Sequence, residues 1–234
     1  MPKENLKINQ YGKLFIVATP IGNLEDITLR ALKTLKEVSF IACEDTRHTI
    51  KLLNKYNIKK KLISYYQPKE KQKIPLIINF LKKGLDGALV SDAGTPGISD
   101  PGYRLIIEAI NQNIEIIPIP GPSALIAALS ASGLPTDRFL FIGFPPTKKG
   151  ALEKLLTSLK NEKSTLIFYQ SAKRIIPFLE IISQILGNRE IVIARELTKV
   201  YEEFIRKKVE EIKNDLKNRE IKGEIVVLIR GEEK

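Results

Sequence analysis

Leu14-Phe15-Ile16-Val17-Ala18-Thr19-Pro20-Ile21-Gly22-Asn23-Leu24 decides the reading of the fold. A short apolar run stopped by proline and glycine reads as a buried strand rather than a helix. Working outward, residues 38–43, 61–64, 87–90 and 113–119 form further strand-like runs. Between them, residues 29–35, 48–56, 74–83 and 103–110 place apolar side chains at helical spacing. Strands alternating with helices predict an α/β fold with a mostly parallel sheet covered on both faces.

Three of the loops after these strands are rich in glycine and proline. Thr19-Pro20-Ile21-Gly22 follows the first run, Asp92-Ala93-Gly94-Thr95-Pro96-Gly97 the fourth, and Pro120-Gly121-Pro122-Ser123 the fifth. Glycine permits close backbone approach to a ligand, and proline stiffens the path beside it. Ligands of open α/β sheets collect outside the carboxyl ends of the strands, where these loops would lie. Read singly each loop is a tight turn; together they predict a site for a polar small molecule.

After Pro122 the alternation restarts. Residues 124–131, 152–159, 174–186 and 209–216 read as helices, and 139–143, 164–169, 190–194 and 223–229 as strands, with 202–208 a charged stretch. Pro120-Gly121-Pro122 reads as a stiff linker. The expected organisation is therefore an N-terminal α/β domain over 1–121 and a C-terminal α/β domain over 122–234. Each would carry a mixed or mostly parallel sheet flanked by helices.

Composition narrows the function. At 43% hydrophobic residues the chain is too apolar for disorder. No apolar run reaches the roughly 18 residues a membrane span needs, and residues 1–11 are too polar for a signal peptide. The expected location is the cytoplasm, where the single cysteine, Cys43, would be a reduced core residue. The net charge of +11 is uneven: residues 1–80 carry 15 basic against 7 acidic side chains, while residues 81–140 carry 4 against 6. Such basic flanks suit a polyanionic partner, although a solvated lysine-rich surface would look the same.

Several chemistries are excluded by missing motifs. There is no Walker phosphate loop, no G-x-G-x-x-G after the first strand and no nucleophile elbow. One histidine and one cysteine cannot build a zinc cluster, and no metal is expected. His48 reads as a cap or surface residue, with an RNA contact as the alternative. Lys59, Lys60 and Lys61, followed by Tyr65, Tyr66, Lys69, Lys71 and Lys73, interleave phosphate-neutralising and base-stacking side chains. This suits single-stranded RNA, and equally a solvated helix end.

The motifs resemble one family in matching order along nearly the whole chain. Residues 14–28 are similar to the opening of the ribosomal small-subunit RNA cytidine 2′-O-methyltransferases, a branch of the tetrapyrrole-methylase superfamily. The likeness continues through Cys43-Glu44-Asp45-Thr46-Arg47-His48-Thr49, Val90-Ser91-Asp92-Ala93-Gly94-Thr95-Pro96, Ser99-Asp100-Pro101-Gly102 and residues 118–124. It resumes at residues 131–139, at Phe168-Tyr169-Gln170-Ser171-Ala172-Lys173-Arg174, at Ala194-Arg195-Glu196-Leu197-Thr198-Lys199 and at Lys222-Gly223-Glu224.

The resemblance implies a tetrapyrrole-methylase-like fold of two α/β domains with S-adenosylmethionine in the cleft between them, a homodimer, and 16S rRNA in the small ribosomal subunit as partner. Carried over, the cofactor contacts are Thr19, Pro20, Gly22, Asp92, Ala93, Gly94, Thr95, Pro120, Gly121, Ser123 and Ala124, joined by Tyr169, Ser171 and Ala172. Glu44, Asp45 and Arg47 would face the RNA; Lys59, Lys60, Lys61, Tyr65 and Tyr66, from their interleaving noted above, and Arg174 are the expected substrate contacts. Two departures matter. Asp92-Ala93-Gly94-Thr95-Pro96 replaces the Gly-x-Gly-Asp-Pro loop of tetrapyrrole methylases, which favours the RNA branch. Gln170 stands where the family commonly has glutamate.

The implied reaction is attack of a ribose 2′-oxygen on the sulfonium methyl group, with the protein aligning the reactants. Glu44, Asp45 and Asp92 are candidate bases, and Asp92 is equally a loop anchor. Arg47 and Lys199 read as cations that position phosphate or substrate. A macrocycle methylase of the same fold, and a ribosome-binding protein without activity, are the competing readings.

Overall fold

The computed structural model describes residues 11–217 and 219–232. The chain divides into two compact units, Met1–Ser123 and Ala124–Lys234.

In the first unit strands and helices alternate strictly: β1 (Leu14–Val17), α1 (Leu29–Glu37), β2 (Phe40–Cys43), α2 (Thr46–Lys55), β3 (Lys61–Ser64), α3 (Glu70–Lys82), β4 (Gly87–Val90), α4 (Tyr103–Asn111) and β5 (Ile116–Ile119). The sheet order is β3-β2-β4-β1-β5, and all its neighbours run parallel. Successive side chains of a strand face opposite sides, and the core divides accordingly. Leu14, Phe40 and Leu89 pack beneath Ile77, Leu81 and Leu105 of α3 and α4. Val17, Ile41 and Val90 pack beneath Leu35, Leu52 and Leu53 of α1 and α2. Each such side chain contributes about 1.5–3 kcal/mol by leaving water.

Helix α3 begins four residues before the expected start and carries Pro75 within it. Its first residue explains the extension. Glu70 is buried, takes a 2.7 Å ion pair from Arg104 and is hydrogen-bonded by the Tyr65 hydroxyl at 3.4 Å. Tertiary contact outweighs the local cost of the proline.

The second unit contains α5 (Ala124–Ser130), β6 (Phe139–Gly143), α6 (Lys149–Ser158), β7 (Thr165–Ser171), α7 (Ile175–Leu186), β8 (Glu190–Arg195), β9 (Glu203–Lys208), α8 (Val209–Lys217) and β10 (Glu224–Ile229). Its sheet order is β6-β7-β10-β8-β9; β6 and β7 run parallel, and the other pairs are antiparallel. Phe168, Ile193 and Val227 form its floor beneath Leu156, Phe178, Ile182 and Ile212 of the helices.

Strand β9 corrects the sequence reading. Glu203-Phe204-Ile205-Arg206-Lys207-Lys208 was expected only as a charged stretch, yet it pairs with β8 over its whole length. It is an edge strand, and its charges are the usual guard against pairing with a further chain.

Candidate active site

All strands of the first sheet point one way, so the loops after β1, β4 and β5 leave it from one end, on three adjacent strands. They are tied together. Thr19 and Gly94 exchange backbone hydrogen bonds of 2.9 and 3.0 Å, and the Thr19 hydroxyl donates to the Ser91 carbonyl at 3.1 Å. The Thr95 hydroxyl donates to the Pro122 carbonyl at 3.3 Å. Gly94 has φ +79°, and a side chain on Gly121 would come within 3.0 Å of Ala18 Cβ. Thr19 and Pro20 are buried, whereas Gly22, Asp92, Ala93, Pro120 and Gly121 are exposed. Among the described residues none accepts the Ala93 N–H. Bare backbone donors on a braced loop fit the polar end of a small ligand.

Beside these loops lies a cluster of carboxylates. The Asp92 Oδ1 accepts the Asp45 N–H at 3.0 Å, and the Asp92 N–H bonds the Glu44 carboxylate. Asp92 thus anchors the loop after β2. Asp45 caps α2 through the Arg47 N–H at 2.8 Å and takes a two-pronged contact from the Arg47 guanidinium, whose Nη2 lies 2.6 Å from Oδ2. Those hydrogen bonds hold the Asp45 carboxyl at about 2, too low for a useful base. Glu44 is raised instead, by burial first and then by the charge of Asp92.

Asp100 was missed as a candidate, although it stands in the quoted Ser99-Asp100-Pro101-Gly102. Burial, followed by the charge of Glu44, pushes its carboxyl up to about 6, against the opposing bond from the Ser91 side chain. A base of that pKa is matched to neutral operation. The signal for it is spatial: 56 residues separate Asp100 from Glu44.

The basic patch is rearranged by the fold. Lys59, Lys60 and Lys61 lie at the amino end of β3, because Lys61 registers with Phe40 at the start of β2. Tyr66, Lys69, Lys71 and Lys73 follow the carboxyl end of that strand, the end that carries the loops. Lys61 sits over the Phe80 ring at 4.6 Å and Lys69 over Tyr66 at 5.8 Å. Tyr65 requires a correction: it is 1% exposed in the core, its hydroxyl pushed up to about 12 by burial and by Glu70, and it cannot stack on a base.

In the second unit Tyr169 lies in β7, half-buried and edge-on to Phe141 and Phe144. Ser171 ends that strand, and Ala172 and Arg174 form the 3-10 turn after it. Ala124 is the first residue of α5. Ser171 registers with Glu224, and Lys199 binds Glu224 at 2.8 Å and Glu196 at 3.0 Å, which places Lys199 at the same end of the sheet. Burial works against the Lys199 charge, but the two carboxylates outweigh it and raise its pKa. Lys199 is therefore a clamp between two acidic side chains. Among the described residues no group of histidine, cysteine and carboxylate side chains could hold a metal ion, and no helix is long and apolar enough to cross a membrane.

A parallel α/β unit with braced glycine loops, followed by a mixed-sheet unit, is the architecture of a class of small-molecule-dependent methyltransferases. Residues 13–213 match the family model of tetrapyrrole (corrin/porphyrin) methylases, and the chain belongs to that family of S-adenosylmethionine-dependent enzymes. Two similar curated relatives are each named ribosomal RNA small subunit methyltransferase I. That of Thermotoga maritima is 50% identical over 222 residues, covering 95% of this chain and 100% of the relative. That of Hydrogenobaculum sp. is 51% identical over 94% of this chain and 96% of its own. Among solved structures, a cobalt precorrin-4 methyltransferase of cobalamin biosynthesis superposes with TM-score 0.69 at 17% identity, covering 93% of this chain and 94% of that one. Diphthine synthase gives 0.71 at 15%, covering 94% and 90%. At such identities the likeness concerns fold alone.

Proposed function

We propose that this enzyme methylates the ribose 2′-hydroxyl of a cytidine in the 16S RNA of the small ribosomal subunit, as a cytoplasmic homodimer. The observation that carries the proposal is the 50% identity, over 95% of the chain, to a relative named for small-subunit ribosomal RNA methylation. The Asp92-Ala93-Gly94-Thr95-Pro96 loop, unlike that of the macrocycle methylases, supports the same substrate.

S-adenosylmethionine supplies an electrophilic methyl group. The backbone around Gly22, Asp92, Ala93, Gly94, Thr95, Pro120, Gly121 and Ser123 holds it in the first unit, where the positive φ of Gly94 disfavours a side chain and one on Gly121 would crowd Ala18. Ala124, Tyr169, Ser171 and Ala172 are its proposed contacts in the second. The ribose hydroxyl must lose its proton as its oxygen attacks, and Asp100 with Glu44 is the pair suited to take it. Arg47, held ready by Asp45, grips a phosphate of the strand. Bringing the reactants into line lowers the barrier by sparing the entropy of their encounter.

The test is incubation of the protein with labelled S-adenosylmethionine and undermethylated small subunits, followed by mapping of the label. A 2′-O-methylcytidine in 16S RNA is the expected product. Label in a tetrapyrrole, or none anywhere, would overturn the assignment.

A further inference from the structure

Strand β7 carries a polar residue where its alternation calls for an apolar one. Leu166, Phe168 and Gln170 share the face that α6 and α7 cover, and the first two belong to the core of the unit. Gln170 is only 6% exposed. Its Oε1 accepts the Ser171 N–H at 2.9 Å, which fixes the amide orientation and turns the Nε2 away. No group among the described residues accepts from that nitrogen. Nor is it sealed in, because no fully enclosed side-chain nitrogen or oxygen among the described residues lacks a partner. Gln170 lines a pocket of about 350 Å³ within the second unit.

The chemistry of that pocket is consistent around the nitrogen. Arg174 and Lys149 bring positive charge to it and Glu180 one negative charge, and the exposed rings of Pro146 and Pro177 supply apolar walls above the buried Leu152 and Phe178. A donor open to such a cavity bonds water when the cavity is empty and is free to bond an acceptor on a ligand that displaces that water. Tyr169 and Ser171, the proposed cofactor contacts, stand on the opposite face of β7, since neighbouring side chains of a strand alternate. The pocket is therefore not the cofactor site.

We propose that this pocket holds one unpaired nucleotide of the RNA strand. Gln170 Nε2 donates to an acceptor on the base edge, the apolar walls flank the base, and Arg174 with Lys149 takes the adjoining phosphate. The inference rests on the proposed RNA substrate and names a place where that RNA is read. A free nucleotide carries the same groups, so the experiment separates the two sources.

Gln170→Leu removes the donor while suiting the core, together with the acceptor of the exposed Ser171 N–H, which water can replace, and Arg174→Gln removes an exposed charge. Both are compared with the parent by calorimetry with a five-nucleotide single-stranded RNA, with cytidine 5′-monophosphate and with inorganic phosphate, beside a melting curve. The RNA should bind Gln170→Leu roughly fivefold to tenfold more weakly, the worth of one hydrogen bond. Arg174→Gln should lower the salt dependence of RNA binding. S-adenosylmethionine affinity and kcat should stay at the parental value in Gln170→Leu while KM for small subunits rises. Equal RNA affinity in a folded Gln170→Leu overturns the proposal, as does tight binding of the free nucleotide or of phosphate without the RNA. If the parent transfers no methyl group to small subunits yet Gln170→Leu still loses RNA affinity, the pocket stands and the proposed reaction falls.

Discussion

Thr19 and Gly94 exchange backbone hydrogen bonds of 2.9 and 3.0 Å, a one-rung antiparallel bridge that joins the loops leaving two parallel strands. The bridge requires Gly94 at φ +79°, a conformation that disfavours any side chain.

Gly94→Ala should therefore lower stability by about 1–2 kcal/mol through backbone conformation, since the neighbouring space is adequate: the nearest atom, Ile21 Cγ2, would be 3.5 Å away. Gly94→Asn, which tolerates the left-handed region better, should recover much of that loss. Both should bind S-adenosylmethionine more weakly. Parental affinity in a folded variant would remove this loop from the cofactor site.

Asp100 makes stability and activity depend on pH in opposite directions. Its folded-state carboxyl holds its proton to about pH 6, whereas the unfolded chain releases it near 3.8. Between those values the native state binds the extra proton, so stability falls as pH rises. Asp100→Asn should raise the unfolding free energy at pH 7 by an amount on the order of 1–2 kcal/mol after discounting for partial exposure, seen as a higher melting temperature, and the gain should vanish below about pH 4. Parental kcat should climb through about pH 6 as the base ionises, and the asparagine variant should lose that limb. An unchanged pH–rate profile would exclude Asp100 as the base.

Arg47 and Asp45 form an exposed pair that persists down to about pH 2, where the carboxylate is protonated. Exposed pairs contribute little to stability, so Arg47→Lys should melt near the parental temperature and keep its cofactor affinity. A lysine cannot reproduce the two-pronged phosphate grip, and turnover on undermethylated subunits should fall roughly 10-fold to 100-fold. Near-parental turnover would leave the pair as a helix cap only.

The two halves of the basic patch should behave differently. Replacing Lys69, Lys71 and Lys73 by glutamine, at the loop end of the sheet, should weaken RNA binding and reduce its salt slope. The same change at Lys59 and Lys60, at the opposite end, should do neither to a comparable extent. Equal salt slopes for both triple and double variants would show that position along β3 is irrelevant.

The alternation of strands and helices, and the three glycine–proline loops, were legible in the sequence because both are properties of near neighbours. An apolar run beside Thr19-Pro20-Ile21-Gly22 has few alternatives to a buried strand and a stiff turn. Whole-length motif order carried the family in the same way. What escaped depended on distant residues. Strand β9 looks like a charged loop until β8 offers its free edge. Tyr65 reads as a stacking platform until Glu70 and the α3–α4 layer enclose it. Asp100 is an ordinary carboxylate in the chain and a neutral-range base only beside Glu44, because burial and a like charge both penalise ionisation. Lysines 59–61 and 69–73 are neighbours in sequence, yet the strand between them carries them to opposite ends of the sheet. Sequence determined the elements and the loop chemistry; only the tertiary structure decided burial, register and charge proximity, since each is a relation between segments that local residue patterns do not encode.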